Sequence, residues 1–184
     1  MAASGDEGAT QASGGAAGDA GVETPRRHLA WLSVGIAAAV VVLDQLTKRW
    51  AVNALANGRI IDVVGSLRFN LTYNSGMAFS RGTGVGPVIG LIALVVVVAL
   101  LVSLRRNGSV WSSIGLGLVI GGAIGNVLDR LFRSGHGFLG GSVVDFIDVQ
   151  WWPVFNVADS AITVGGVILV VGSLLGGRRT SAPE

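Results

Sequence analysis

The chain contains no cysteine and very few charged side chains for its length of 184 residues. Without cysteine it has no disulfide framework, no thiolate metal site and no cysteine nucleophile. Charged residues make up 13% of the chain and hydrophobic residues 51%. That charged share is about half of what a typical soluble domain carries. The composition therefore argues against a soluble globule and against disorder over most of the length.

Histidine and lysine are also scarce, which narrows the possible chemistry. The two histidines, His28 and His136, are too few for a histidine-rich metal site, and Lys48 is the only lysine. The other basic residues are arginines without a stripe or interleaved aromatic residues, so we expect no nucleic-acid binding. No group of aspartates has the spacing of a calcium or magnesium loop, and we therefore expect no metal or other cofactor.

Four long apolar segments occupy most of the remaining sequence, at residues 29–43, 85–104, 110–128 and 157–177. The first continues as helix to about Trp50. A bilayer core of about 30 Å needs about 20 helical residues, so these segments predict four transmembrane helices rather than buried helices of a soluble protein. Residues 1–27 are small and polar and predict a disordered cytoplasmic tail. The predicted membrane domain covers 28–177, and 178–184 form a short second tail.

The distribution of arginine gives a membrane topology. Three arginine pairs, at 26–27, 105–106 and 178–179, flank helix ends on one side, against seven basic residues on the other. The totals of six and seven do not decide the orientation. The pairs, however, lie directly at helix ends, where positive charge marks the cytoplasm. We therefore expect both termini in the cytoplasm and the connections 51–84 and 129–156 outside.

The two outer connections and the third span carry further patterns. Residues 67–74 alternate with period two and predict a strand, and with the preceding stretch 59–64 they predict a small sheet on the membrane surface, the alternative being an unstructured loop. Trp151 and Trp152 suit the aromatic belt of a membrane interface. Glycines at 117, 121 and 125 predict a face on which another helix packs closely.

Four aspartates, at positions 44, 129, 145 and 159, lie near helix ends or in the outer connections. Because an acid at the centre of a bilayer is costly, we expect these four to cluster on one side of the membrane. Asp44 has Lys48 one helical turn later. Asp129 is followed by Arg130 and preceded by Asn126 one turn earlier. We interpret these two acids as ionised and structural.

Asp145 and Asp159 have no cation among their close sequence neighbours. Two such carboxylates brought together would not both ionise, which is the arrangement of an aspartic protease dyad. One would take a proton from water, and the other would protonate or hydrogen-bond the scissile carbonyl. Asn156 is placed to cap the fourth helix and orient Asp159. For either aspartate alone, a cap or a buried ion pair is the alternative. The serines 134, 142 and 160 lack an adjacent base.

Five blocks in this order resemble the bacterial lipoprotein signal peptidases, or signal peptidase II. They are DQLTK at 44–48, NSGMAF at 74–79, GGAIGNVLDR at 121–130, VVDF at 143–146 and FNVADS at 155–160. The resemblance covers about residues 29–177. The stretch 134–142 is longer and richer in glycine than the family pattern leads us to expect.

The resemblance implies an intramembrane aspartic endopeptidase of the bacterial inner membrane that cuts prolipoproteins just before a diacylglyceryl-modified cysteine. It assigns catalysis to Asp145 and Asp159. Other matched positions would line or brace the site: Asp44, Lys48, Asn74, Asn126, Asp129, Arg130 and Asn156. It also implies an all-α membrane protein of four transmembrane helices with a small extracytoplasmic β-sheet or cradle and a periplasmic helix, mapped onto 51–84 and 130–156. Membrane lipid and globomycin-type inhibitors would be its other partners.

Two other functions remain open at this point. A small proton- or ion-coupled transporter would use the aspartates as a relay, although relays usually place acids near mid-membrane. A structural scaffold would use the glycine face for assembly, but it leaves the aspartate blocks unexplained.

Overall fold

Four long helices and a three-stranded sheet make up the computed structural model, which describes residues 23–76, 86–103, 109–133 and 137–177. The helices are α1 (Glu23–Ala54), α2 (Gly86–Ser103), α3 (Val110–Phe132) and α4 (Val157–Gly177). Each is long and apolar enough to cross a membrane. The four predicted spans are therefore confirmed.

Helix α1 is longer than its apolar run. It begins at Glu23, inside the segment predicted as a disordered tail, and ends at Ala54 rather than near Trp50. A proline such as Pro25 is compatible with a helix start, because the first-turn N–H groups have no intrahelical partner. At the other end, Ala51 and Leu55 are fully buried, so packing prolongs the helix. The predictions for residues 1–22 and 178–184 lie outside the described residues.

Helix α3 is the central helix of the bundle. Over its most apolar 18 residues, 56% of the residues are buried, whereas the corresponding share is 22% or less in α1, α2 and α4. A Cβ on Gly117 or Gly121 would lie 2.8 or 2.7 Å from a backbone oxygen of α1, and one on Gly122 would meet the Ala158 carbonyl of α4. The predicted glycine face thus packs on α1, and a second small-residue face packs on α4.

The sheet joins the two outer connections. Its strands are β1 (Ile60–Val64), β2 (Leu67–Asn74) and β3 (Val143–Asp148), antiparallel in the order β1-β2-β3. Strand β2 was predicted from its period-two alternation, and β1 lies in the stretch that was predicted to share a small sheet with it. The third has no alternation because nearly all of its residues are buried, so the sequence pattern does not distinguish it from a helix segment. Outside the long helices, the described residues contain only one further helical turn, at Ala56–Gly58, which is shorter than the implied periplasmic helix.

The sheet is packed onto one end of α1. Val144 and Phe146 of β3 form a buried cluster with Ala51 and Leu55. Trp50 adds edge-on ring contacts, with its centroid 5.2 Å from that of Phe69 and 6.1 Å from that of Phe146. Because strand β3 carries Asp145, this packing fixes that carboxylate at the end of the bundle where α3 ends and α4 begins.

We expect Gly121→Leu to separate α1 from α3 and destabilise the protein. A side chain there overlaps the Ala37 carbonyl and Val40, and overpacking typically costs about 1–3 kcal/mol. Thermal unfolding in detergent should show a lower midpoint. The matched control is Gly172→Leu on α4, where a Cβ meets nothing within 4 Å. Equal midpoints for the two variants would contradict the close packing of α1 on α3.

Candidate active site

A cavity of about 380 Å³ opens where α2, α3 and α4 meet the sheet, and both Asp145 and Asp159 line it. Asn74 from β2 and Asn126 and Arg130 from α3 line the same cavity. The structure therefore brings together the two aspartates that the sequence singled out, although they lie on a strand and on a helix. It also gathers three of the supporting residues around them.

Asp145 is almost completely buried, with 2% of its surface exposed. Its Oδ1 accepts a hydrogen bond from Asn156 Nδ2 at 2.7 Å, and its Oδ2 accepts one from Asn74 Nδ2 at 3.1 Å. Burial, and then the negative charge of Asp159, raise the pKa of Asp145 to about 6 in spite of these hydrogen bonds. Asp145 therefore holds a proton more readily than an ordinary carboxyl.

Asp159 lies in the first turn of α4 and forms a reciprocal cap with Asn156. The backbone N–H of Asp159 donates to Asn156 Oδ1 at 2.9 Å, and the backbone N–H of Asn156 donates to Asp159 Oδ2 at 3.2 Å. Such reciprocal bonds satisfy N–H groups that a helix start otherwise leaves without partners. The predicted cap is confirmed. Asn126 Nδ2 donates to the other oxygen, Oδ1, at 2.8 Å.

Asn156 connects the two aspartates directly. Its side-chain amide donates to Asp145, while its backbone N–H and its amide oxygen hold Asp159. Asn156 is itself fully buried, and its amide also donates to Asn126 Oδ1 at 3.2 Å. The hydrogen bonds of Asn156, supported by Asn126, therefore fix the relative position of the two carboxylates.

Behind the cavity, Lys48 is fully buried and all three of its N–H groups have partners. Its Nζ lies 2.9 Å from Asp44 Oδ2, 3.0 Å from Asp129 Oδ2 and 2.9 Å from Asn126 Oδ1. The predicted pairing of Asp44 with Lys48 is confirmed. The ammonium group also ties α1 to α3 through Asp129.

The two carboxylates that bind Lys48 each hold the backbone next to one of the cavity aspartates. Asp44 Oδ1 accepts the N–H of Ala158 at 3.0 Å, directly before Asp159. Asp129 Oδ2 accepts the N–H of Val144 at 3.1 Å, directly before Asp145. The ammonium group of Lys48 therefore links the two carboxylates that hold the start of α4 and strand β3 in place.

The structure corrects the expected partner of Asp129. That carboxylate pairs with Lys48 and with Arg133, whose Nε lies 2.7 Å from its Oδ1, rather than with the adjacent Arg130. Consecutive residues of a helix point in different directions, whereas residues four apart share a face. Arg130 instead lines the cavity, where its buried Nη1 has no hydrogen-bond partner among the described residues.

Sequence reasoning missed two residues of this cluster, Gln45 and Arg133. Gln45 Nε2 lies 3.1 Å from Asp44 Oδ2 and 3.2 Å from the Gly125 carbonyl, and so joins α1 to α3. The four-residue spacing of Asp129 and Arg133 was a usable signal for their pairing. For Gln45, no sequence signal pointed to the site except its position in the DQLTK block. Within the described ranges, no group of three or more potential ligands could hold a metal ion.

Comparison with known proteins places this chain in a family. A family model described as signal peptidase (SPase) II matches residues 36–175. A lipoprotein signal peptidase of Mycobacterium avium (strain 104) is 46% identical over 167 residues, covering 87% of this chain and 90% of the relative. One of Mycobacterium tuberculosis (strain ATCC 25618 / H37Rv) is 44% identical over 163 residues, covering 88% and 80%.

A solved structure gives the same result for the fold. A bacterial membrane enzyme determined by the in meso method at 2.3 Å superposes with a TM-score of 0.71 and 27% identity. The superposition covers 83% of this chain and 93% of that one. With the family model matching three quarters of its residues and relatives this similar over most of their length, the chain belongs to the signal peptidase II family.

Proposed function

We propose that this protein is an aspartic endopeptidase in which Asp145 and Asp159 cut a diacylglyceryl-modified prolipoprotein just before the modified cysteine. As a member of its family it is a bacterial multi-pass membrane protease that removes signal peptides from prolipoproteins. The observation that carries the proposal is the bridge of Asn156 between two carboxylates that line one cavity.

The charges around the cavity support a pair that shares one proton. Four carboxylates, from Asp44, Asp129, Asp145 and Asp159, interact with three cations, Lys48, Arg130 and Arg133. One proton on the pair therefore leaves the cluster neutral. Neutrality matters here because an uncompensated buried charge is costly where water is excluded.

In the reaction that we propose, Asp159 is the base and Asp145 the acid. Asp159 accepts N–H bonds on both oxygens, from Asn126 and from the backbone of Asn156. It takes a proton from water, whose oxygen attacks the scissile carbonyl carbon while Asp145 protonates the carbonyl oxygen. The tetrahedral intermediate then collapses. The C–N bond breaks, the new amine takes the proton held by Asp159, and the hydroxyl proton returns to Asp145.

The other cavity residues have roles in binding under this proposal. Arg130 lines the cavity, and under this proposal its guanidinium donates to a carbonyl oxygen of the substrate. The apolar lining, including Ile89, Ala93 and Ile162, suits the diacylglyceryl group. Globomycin-type inhibitors would compete for the same cavity.

We also propose that the sheet and the cavity face the outside and that both termini face the cytoplasm. Strands β1 to β3 and both aspartates lie at one end of the bundle, and the paired arginines lie at the sequence positions of the other end. This orientation brings the site to the side on which a translocated lipoprotein precursor presents its modified cysteine.

Asp145→Asn and Asp159→Asn should each lower kcat by at least about 100-fold, because each removes a group that transfers a proton in the transition state. The assay is cleavage of a diacylglyceryl-modified prolipoprotein by the purified protein in lipid, with product mass locating the cut. Asp62→Asn, which alters an exposed aspartate of β1, is the matched control and should retain wild-type turnover.

Near-normal turnover in either folded variant would remove that residue from catalysis. Folded wild-type protein that never cuts the modified precursor would overturn the peptidase mechanism, and proton flux through vesicles carrying it would then favour the transporter.

The activity should fall as pH rises through about 6, because above the pKa of Asp145 the pair loses the proton that serves as the general acid. Asn74→Ala should move this alkaline limb to higher pH. The amide hydrogen bond from Asn74 favours the ionised form of Asp145 and lowers its pKa, so its loss raises that pKa. The profile of kcat/KM against pH reports the free enzyme.

Asn70→Ala is the control for this profile, since Asn70 bonds Asp148 on the same sheet. An alkaline limb that stays in place in Asn74→Ala, or moves to lower pH, would contradict the proposed role of Asp145.

The proposed orientation is testable because the chain has no cysteine. A membrane-impermeant maleimide applied to intact cells should label Asp62→Cys on β1 but not Ser109→Cys at the start of α3, and both positions are exposed. Disruption of the membrane should make Ser109→Cys reactive. Labelling of Ser109→Cys alone in intact cells would reverse the orientation.

A further inference from the structure

A second pocket, of about 630 Å³, lies against α1 and the end of α3, and it shares no lining residue with the cavity of the two aspartates. We name it the arginine pocket. Its apolar part is formed by Val42, Leu46 and Val52 of α1, and its polar part contains Arg49 and Arg133. Gln45 and Asn53 complete the lining.

The spacing of tryptophans on α1 gives the depth of this pocket in the bilayer. Trp31 and Trp50 are both exposed and lie about 28 Å apart along the helix, at 1.5 Å per residue. That distance matches a hydrocarbon core of about 30 Å, and exposed tryptophans collect at its two boundaries. Arg49, next to Trp50, is therefore at the headgroup level, whereas Val42 lies about 10 Å deeper.

The two arginines differ in how they are held. Arg133 donates its Nε to Asp129, which fixes the guanidinium, and its side chain is 27% exposed. Arg49 is exposed and makes no ion pair with a described residue. No acidic side chain lines the pocket, and because Arg133 is paired with Asp129, the uncompensated positive charge is that of Arg49. Guanidinium groups bind phosphate oxygens well because their N–H donors form a planar fork.

We propose that the arginine pocket binds the phosphate of an anionic glycerophospholipid, with the lipid's acyl chain along Val42 and Leu46. A free phosphate would use the arginines but not the apolar half of the pocket. A neutral lipid would use the apolar half but leave Arg49 without an anionic partner. Both halves are matched only by a phosphate that is attached to an acyl chain at the membrane interface.

The test uses the delipidated, detergent-solubilised full chain titrated with phosphatidylglycerol and followed by native mass spectrometry. Diacylglycerol and inorganic phosphate are the comparison ligands. Wild-type protein should bind phosphatidylglycerol at least fivefold more tightly than either. Arg49→Gln should weaken that binding about fivefold, since one arginine near anionic lipid contributes about 1 kcal/mol. Arg49 touches none of the proposed catalytic residues, so peptidase activity reports that the variant is folded.

Arg59→Gln is the matched control, because Arg59 is an exposed arginine that does not line the pocket. Leu46→Gln tests the apolar half and should also weaken phosphatidylglycerol binding. Equal binding of diacylglycerol would show that the arginines make no contribution and overturn the proposal. Equal binding of inorganic phosphate would show a phosphate site that does not recognise lipid. An unchanged affinity in Arg49→Gln would place the bound lipid elsewhere.

Discussion

The architecture of the site depends on one buried ammonium group. Lys48 gives its three N–H groups to Asp44, Asp129 and Asn126, at distances of 2.9 to 3.0 Å. A buried charge is tolerated only where its partners are complete, and removal of one partner typically costs about 3–5 kcal/mol. Because the partners of Lys48 belong to α1 and α3, complete hydrogen bonding is reached only when these helices are packed in one register.

The packing of α1 on α3 positions the proposed catalytic pair through hydrogen bonds to the backbone. Asp44 holds the N–H before Asp159, and Asp129 holds the N–H before Asp145. The close approach that this requires explains the glycines of α3. A Cβ on Gly125 would lie 2.6 Å from Asp44 Oδ2, so only glycine leaves room for the carboxylate. Packing and electrostatics therefore impose the same helix arrangement.

Local sequence signals predicted the parts of the site that are local in the chain. The cap of α4 by Asn156 and the pairing of Asp44 with Lys48 follow from spacings of three and four residues. The contact of Lys48 with Asp129 joins α1 to α3, far apart in the chain, and no periodicity reveals it. The same holds for Asn74. It reaches Asp145 only because β2 pairs with β3, which places Thr72 opposite that aspartate.

The ion pairs within single helices bear on how the protein is made. Asp44 and Lys48 are one turn apart on α1, and Asp129 in the last turn of α3 is four residues before Arg133, which directly follows that helix. Each of these acids therefore has a counter-charge one turn away in its own segment before any other helix packs against it, and this pairing lowers the cost of a charge close to the membrane. The charges of Asp44 and Asp129 are in this way offset within their own segments before the four helices pack together. The long-range bond from Lys48 to Asp129, in contrast, forms only where α1 and α3 are packed together.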